Sequence, residues 1–174
     1  EYLRAVIGRP WRDLPPALFA PAMATGIVSI AAQLTGLRAV ALALFVVNVP
    51  LYAALWIATL ARLALHRDHV VADLRDQGRA VGFFTVVAAT SVLGAQCLVV
   101  GGAATAATAL WIAATILWAA LTYGILTALI VAPEKPAPGD GLHGAWLLAV
   151  VAAQSVASLG AQVAPGFAAH RDTM

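Results

Sequence analysis

Charged residues are scarce in this sequence. Asp, Glu, Lys and Arg together make up 10% of the 174 residues, whereas a soluble domain typically has about 25%. The formal net charge is only +2, and the ten Lys and Arg residues lie between apolar runs rather than in one cluster. Because nucleic-acid binding needs clustered basic residues, this distribution argues against a nucleic-acid partner. The low charge also excludes an ordinary soluble domain.

Cysteine is nearly absent, since Cys97 is the only one. One cysteine allows neither an intrachain disulfide nor a cysteine-rich metal site, so Cys97 is interpreted as a small packing residue. His66, His69 and Asp73 have helical spacing and could in principle bind a metal, but their mixed-charge surroundings favour a solvated loop. The Ser, His and Asp residues have no recognisable catalytic spacing. The sequence therefore predicts no enzymatic activity, no metal site and no cofactor.

Apolar residues, by contrast, are abundant: they make up 62% of the chain, and the mean hydropathy is +0.89. Five apolar runs are each long enough to cross a bilayer, which takes about 20 helical residues. They cover about residues 14–34, 40–63, 80–100, 104–132 and 142–163, after a lead-in at 1–13 and before a tail at 164–174. The sequence therefore predicts an all-α integral membrane protein in contact with the lipid bilayer. Pro21 and Pro50 fall inside the first two runs, where proline predicts a helix kink.

The distribution of cations predicts the orientation in the membrane. With a cytoplasmic N-terminus, eight Lys and Arg residues lie on the inner side, and only Arg38 and Arg171 lie on the outer side. Because positive residues accumulate in cytoplasmic loops, we expect a multi-pass protein of the plasma or inner membrane with its N-terminus in the cytoplasm.

A six-residue pattern recurs in the odd-numbered runs, at 24–29, 89–94 and 153–158. Each copy has alanine, a hydrogen-bonding side chain, a small residue, two apolar residues and another small residue. The offsets are 65 and 64 residues, which predicts a two-helix hairpin present two and a half times. Two interpretations stay open. Small residues at this spacing allow membrane helices to pack closely, whereas polar residues repeated only on odd helices are typical of a pore wall between repeats.

The pore interpretation divides the residues of these runs into two sets. The predicted pore lining is Thr25, Ser29, Gln33, Thr90, Gly94, Gln154, Ser158 and Gln162. The predicted helix-packing residues are Gly26, Ser91 and Ser155. No Asp, Glu, Lys, Arg or His lies in the middle of a predicted span, and such residues usually mark proton relays or charged binding sites. The predicted wall is thus polar but uncharged, which favours passive conduction of small anions.

Two other functions stay open at this point. A secondary carrier of C4-dicarboxylates or sulfite would depend on a proton gradient, whereas a channel would not. The third possibility is a bundle without transport activity. In that case, replacing Thr25, Thr90 and Gln154 by alanine should leave the measured ion flux unchanged while altering the stability of the protein.

Three segments carry a family resemblance: 13–29 (DLPPALFAPAMATGIVS), 82–94 (GFFTVVAATSVLG) and 144–157 (GAWLLAVVAAQSVA). They resemble the first, third and fifth helices of the tellurite-resistance/dicarboxylate transporter family, which includes the bacterial tellurite-resistance anion channel and the plant slow-type anion channels. The resemblance implies ten helices in five hairpins around a pore, with odd helices inside and even helices outside. It also implies a homotrimer that carries small anions such as chloride and nitrate, sulfite, or dicarboxylates.

The chain departs from the family pattern in its length, because it stops after the fifth helix. We therefore expect the N-terminal half of a longer protein. The family's gating phenylalanine lies on the ninth helix, so it has no counterpart here, and Phe83 and Phe84 are not that residue.

Overall fold

The computed structural model describes residues 15–131 and 144–171, which are helical and contain no β-strand. The helices are α1 (Ala20–Leu34), α2 (Arg38–Leu65), α3 (Arg67–Arg75), α4 (Gln77–Ala80), α5 (Phe84–Val99), α6 (Ala104–Val131) and α7 (Leu147–Arg171), with 3₁₀ turns at Val81–Phe83 and Gly144–Trp146. The predicted lead-in at 1–13 and the end of the predicted tail, at 172–174, lie outside the described residues. The prediction of an all-α membrane fold is confirmed.

Four helical stretches are long and apolar enough to cross a membrane: Arg38–Leu65, Gly78–Val99, Ala104–Ala128 and Gly144–Pro165. The first predicted span is shorter than expected, because α1 begins only at Ala20 and has 15 residues. Pro21 therefore lies in the first turn of α1, where its missing N–H interrupts no helical hydrogen bond. The predicted kink required Pro21 to lie inside a helix, and it does not. Pro50 lies inside α2, and the helix continues through it.

The turn between α1 and α2 depends on Gly36. Its φ of +83° lies in the left-handed region that residues with a Cβ rarely adopt. The Gly36 amide donates to the Gln33 carbonyl at 3.2 Å, and the Leu37 amide donates to the Ala32 carbonyl at 2.8 Å. This pair of bonds is a Schellman motif, which satisfies the last carbonyls of α1. The reversed chain then packs α2 along α1.

The central element of the bundle is α5, which packs against α1, α6 and α7. The most apolar 18 residues of each spanning stretch differ in their burial. Of these, 83% are buried in the stretch that contains α5, against 11% in α2, 11% in α6 and 22% in the stretch that contains α7. Large apolar side chains such as Ile57 and Ile116 are exposed on the outer helices, as lipid contact requires. The third predicted span is therefore the inner helix of this bundle.

Two ion pairs that share the buried Asp73 hold together the end of α2, helix α3 and helix α4. Asp73 of α3 accepts from Arg62 of α2 at 2.6 Å and from Arg79 of α4 at 2.6 Å. Asp76 caps α4 by accepting from the amides of Gly78 and Arg79. Asp73 is thus engaged by two guanidinium groups. Among the described residues, no group of three His, Cys, Asp or Glu could hold a metal ion.

Candidate functional site

A groove of about 510 Å³ lies between α1, α5 and α7, the helices of the three odd-numbered spans. Its lining is Ile27, Ile30, Ser91, Val92, Ala95, Val150, Val151, Gln154, Ser155, Ser158, Leu159 and Gln162. The polar side chains come from α5 and α7, whereas α1 contributes two isoleucines. None of these lining residues is ionisable. The groove therefore offers hydroxyl and amide groups between apolar walls.

The α7 side of the groove contains all three predicted lining residues of the fifth span. Gln154, Ser158 and Gln162 follow at four-residue spacing, which places them on one face of the helix. All three are exposed. The structure therefore brings this predicted column together along one wall of the groove.

The predicted residues of α1 and α5 lie elsewhere, and two of them bond inside the bundle. Ser29 is fully buried and donates to the Ala41 carbonyl of α2 at 2.8 Å. Thr90 is buried, donates to the Val86 carbonyl at 2.6 Å and lies 2.7 Å from the hydroxyl oxygen of Tyr52. The Ser29 hydroxyl joins α1 to α2, and the Thr90 hydroxyl bonds both to its own helix and to α2. Neither residue lines the groove.

The other three predicted residues of these helices are also absent from the groove lining. Thr25 and Gln33 are partly buried, and the Oε1 atom of Gln33 is buried without a partner among the described residues. Gly94 is buried where α5 meets α6 and α7, close to Ala107 and Leu159.

The rotation of α1 and α5 about their axes explains this difference. A Cβ built at Gly26 would overlap Val92 of α5, and one built at Gly94 would overlap Leu159 of α7. A side chain at either glycine would force its neighbour to shift, so small residues favour these close approaches and the glycine faces point at neighbouring helices. Because consecutive helix positions are about 100° apart, this orientation turns Ser91 and Ala95 toward the groove in place of Thr90 and Gly94. Gly26, which was predicted as a helix-packing residue, lies at one of these contacts.

Ser91 and Ser155, which were predicted to serve helix packing, both line the groove. Their hydroxyl groups differ. Ser155 donates to the Val151 carbonyl at 2.7 Å, while the Ser91 oxygen is buried without a hydrogen-bond partner among the described residues. Sequence reasoning missed the place of Ser91 in the groove because the repeat aligns Thr90, not Ser91, with the polar position. The feature of the sequence that could have indicated Ser91 is that a second hydroxyl residue directly follows Thr90.

A second cavity, of about 280 Å³, lies near the charged end of α2. Apart from Thr59 and Arg62, its lining consists of apolar side chains and prolines, among them Phe19, Trp56 and Leu74. Arg62 is already bonded to Asp73. This cavity has no row of polar groups, so the groove is the better candidate site for a polar ligand.

Comparison with known proteins identifies the family of the chain. The family model described as voltage-dependent anion channel matches residues 13–174, which are 162 of the 174 residues. A search of curated proteins and a search of solved structures gave no match. The chain belongs to the voltage-dependent anion channel family, as its three motifs predicted. The activity that this family implies is anion transport across membranes.

Proposed function

We propose that this member of the voltage-dependent anion channel family conducts small anions passively, and that the groove between α1, α5 and α7 is one wall of the pathway. One observation carries the proposal. The polar column of α7 and Ser91 of α5 lie in the same groove, although they are more than 60 residues apart in the sequence. Membrane helices that only pack together have no need to present polar side chains to a shared cavity.

The chemistry of the groove supports anions and passive movement. Hydroxyl and amide groups can donate hydrogen bonds to an anion and replace part of its hydration shell. No carboxylate among the lining residues would repel an anion, and no ionisable lining residue offers a proton relay. Weak, uncharged binding groups of this kind also let an ion leave again, which conduction requires.

The proposal includes the setting of the protein. We place its N-terminus in the cytoplasm and the protein in the plasma or inner membrane, because the arginines at 62, 67, 75 and 79 all lie at one end of the bundle, in or next to α3 and α4. A homotrimer of full-length subunits, each with its own pore, belongs to the proposal through the family resemblance alone.

The test is anion flux into liposomes that contain the purified full-length protein. The double variant Gln154→Leu/Gln162→Leu removes two amide groups from the groove, and each hydrogen bond to a charged group is worth about a factor of ten or more. We therefore expect nitrate and chloride flux to fall at least about tenfold. Thr127→Val, at an exposed position of α6 outside the groove, is the matched control and should keep its flux.

Each other result points to another function. Flux that needs an imposed proton gradient would indicate a secondary carrier of dicarboxylates or sulfite. Flux that is the same in wild type, double variant and control would contradict the pathway proposed here. An unchanged flux with altered stability after Gln154→Ala, which is the groove-lining member of the three alanine replacements, would favour a bundle without a transport role at this position.

A further inference from the structure

We propose that the hydroxyl group of Ser91 donates a hydrogen bond to an anion bound in the groove, and that this site binds small monovalent anions in preference to divalent ones. The inference rests on the proposed function, because it names the ligand class of the same groove. Its evidence is independent of the family, since it comes from the hydrogen bonding of the helix hydroxyl groups.

Several buried or partly buried hydroxyl groups on the spanning helices donate to their own backbone. The oxygens of Ser91 and Thr122 are buried without a partner among the described residues, and of these two only Ser91 lines the groove. Thr59, Thr90, Thr115 and Ser155 each donate to the carbonyl four residues earlier, at 2.6 to 2.8 Å. Such bonds use the only hydroxyl proton. Ser91 has the same helical setting, yet its oxygen has no partner among the described residues, and the residue is 1% exposed. Its proton is therefore not used by any of the described residues.

A buried donor without a partner is unfavourable, and in native proteins it usually marks a bound water, an ion or a functional site. The position of Ser91 favours a ligand. It lines the groove, next to the apolar Val92 and Ala95 and opposite the amides and hydroxyl of the α7 column. A hydrogen bond to an ion is stronger in such a low-dielectric setting than in water.

The charge of the ligand follows from the lining of the groove. A wall of hydroxyl, amide and methyl groups can replace part of the hydration shell of a monovalent anion. A divalent anion loses far more hydration energy on leaving water, and no Lys or Arg among the lining residues would offset that loss. Nitrate and halides fit this site, whereas sulfate and dicarboxylates do not.

Two matched serine variants test the inference. Ser91→Ala removes the unpartnered hydroxyl, while Ser155→Ala removes a hydroxyl in the same groove whose proton is already used by Val151. Both changes are small, and Ser91→Ala deletes a buried polar atom without a partner, so the fold is retained. The purified full-length protein is titrated with sodium nitrate, and with sodium sulfate at matched ionic strength, while its melting temperature is followed.

We expect nitrate to raise the melting temperature of wild type and of Ser155→Ala with the same half-saturating concentration. Ser91→Ala should need about tenfold more nitrate, since it lacks one hydrogen bond to a charged ligand. Without nitrate, Ser91→Ala should melt no lower than wild type. Sulfate should act equally on all three proteins, because its general stabilising effect involves the whole surface. The half-saturating concentration for nitrate flux in liposomes should shift in the same variant alone.

The possible failures can be told apart. An equal nitrate response in Ser91→Ala and Ser155→Ala overturns the inference, whether or not the protein conducts. If nitrate raises the melting temperature in a way that depends on Ser91, but the protein shows no anion flux, the result supports the anion-binding site and contradicts the proposed conduction. A sulfate response that depends on Ser91 as strongly as the nitrate response overturns the preference for monovalent anions.

Discussion

Helix α5 has two polar faces that differ in what their side chains contact. Toward α2 it forms what we term the polar seam, which consists of Asn48 and Tyr52 of α2 with Thr90 and Gln96 of α5. Here Asn48 donates to Gln96 at 2.6 Å, and the Tyr52 hydroxyl lies 2.7 Å from that of Thr90. Toward α1 and α7 the same helix presents Ser91 to the groove, where its hydroxyl has no partner among the described residues.

The difference teaches that residue type alone does not reveal the role of a polar group in a membrane helix. Thr90 and Ser91 are neighbours in sequence and carry the same functional group. Thr90 helps to join two helices, while Ser91 lines the groove. Interhelical hydrogen bonds stabilise membrane bundles by about 0.6 kcal/mol on average. The seam should therefore respond to mutation through stability, and the groove through flux.

Among the variants that test this comparison, Gly26→Val should lower the stability of the protein most. A side chain at Gly26 would overlap Val92 and approach both Asn48 and Gln96, so it would push α1 away from α5 and disturb the seam. Overpacking of this kind typically costs about 1–3 kcal/mol, and we expect the upper end, measured by thermal unfolding in detergent. The control is Gly124→Val in α6, because no atom lies within 4 Å of a Cβ placed there. Equal losses in both variants would show that β-branching, not the close contact, is responsible.

The next effect is expected from Gln96→Leu, which leaves the buried Asn48 amide without its partner. The free energy of unfolding should fall by about 1–2 kcal/mol. A double-mutant cycle with Asn48→Val should give a coupling energy of about 1 kcal/mol. Gln162→Leu in the groove is the matched control and should change stability by less than about 0.5 kcal/mol. A loss in the control as large as in Gln96→Leu would remove the distinction between seam and groove.

Tyr52→Phe should have a smaller effect, of about 0.5–1 kcal/mol on the free energy of unfolding. The loss is limited because Thr90 keeps its bond to the Val86 carbonyl, and because the phenylalanine ring preserves the edge contacts with Phe19 and Trp56. Anion flux should not change. A change in nitrate selectivity without a change in stability would place Tyr52 on the pathway and contradict its assignment to the seam.

The smallest effect on stability is expected from Ser158→Ala, since this side chain is exposed in the groove. The free energy of unfolding should stay within about 0.5 kcal/mol of wild type, while nitrate flux in liposomes falls. Stability loss with unchanged flux is the opposite pattern, and it would assign Ser158 to packing.

Much of the fold could be predicted because the hydrophobic pattern is strong. Long apolar runs in lipid must satisfy their backbone groups internally, so they form helices, and glycine at 36 and at 101–102 marks the short turns. The start of α1 was harder to predict, because Pro21 is compatible with a helix interior in a membrane as well as with a first turn. The family was evident from three motifs, and the match over residues 13–174 confirms it.

The candidate site could be predicted only in part. The α7 column of Gln154, Ser158 and Gln162 follows from spacing on a single helix. The α5 contribution does not, because a rotation of about 100° exchanges Thr90 for Ser91. That rotation depends on which residues of the neighbouring helices meet Gly26 and Gly94, and the repeat pattern carries no information about those contacts.

By itself the sequence determined the membrane environment, the helical class and the family of this protein, because these depend on composition and on patterns along one chain. Only the tertiary structure decided that Thr90 bonds within the bundle while Ser91 lines the groove. The physical reason is that helix rotation is set by close packing between elements distant in sequence. The low exposure of Ser91 and its unbonded hydroxyl are consequences of that packing.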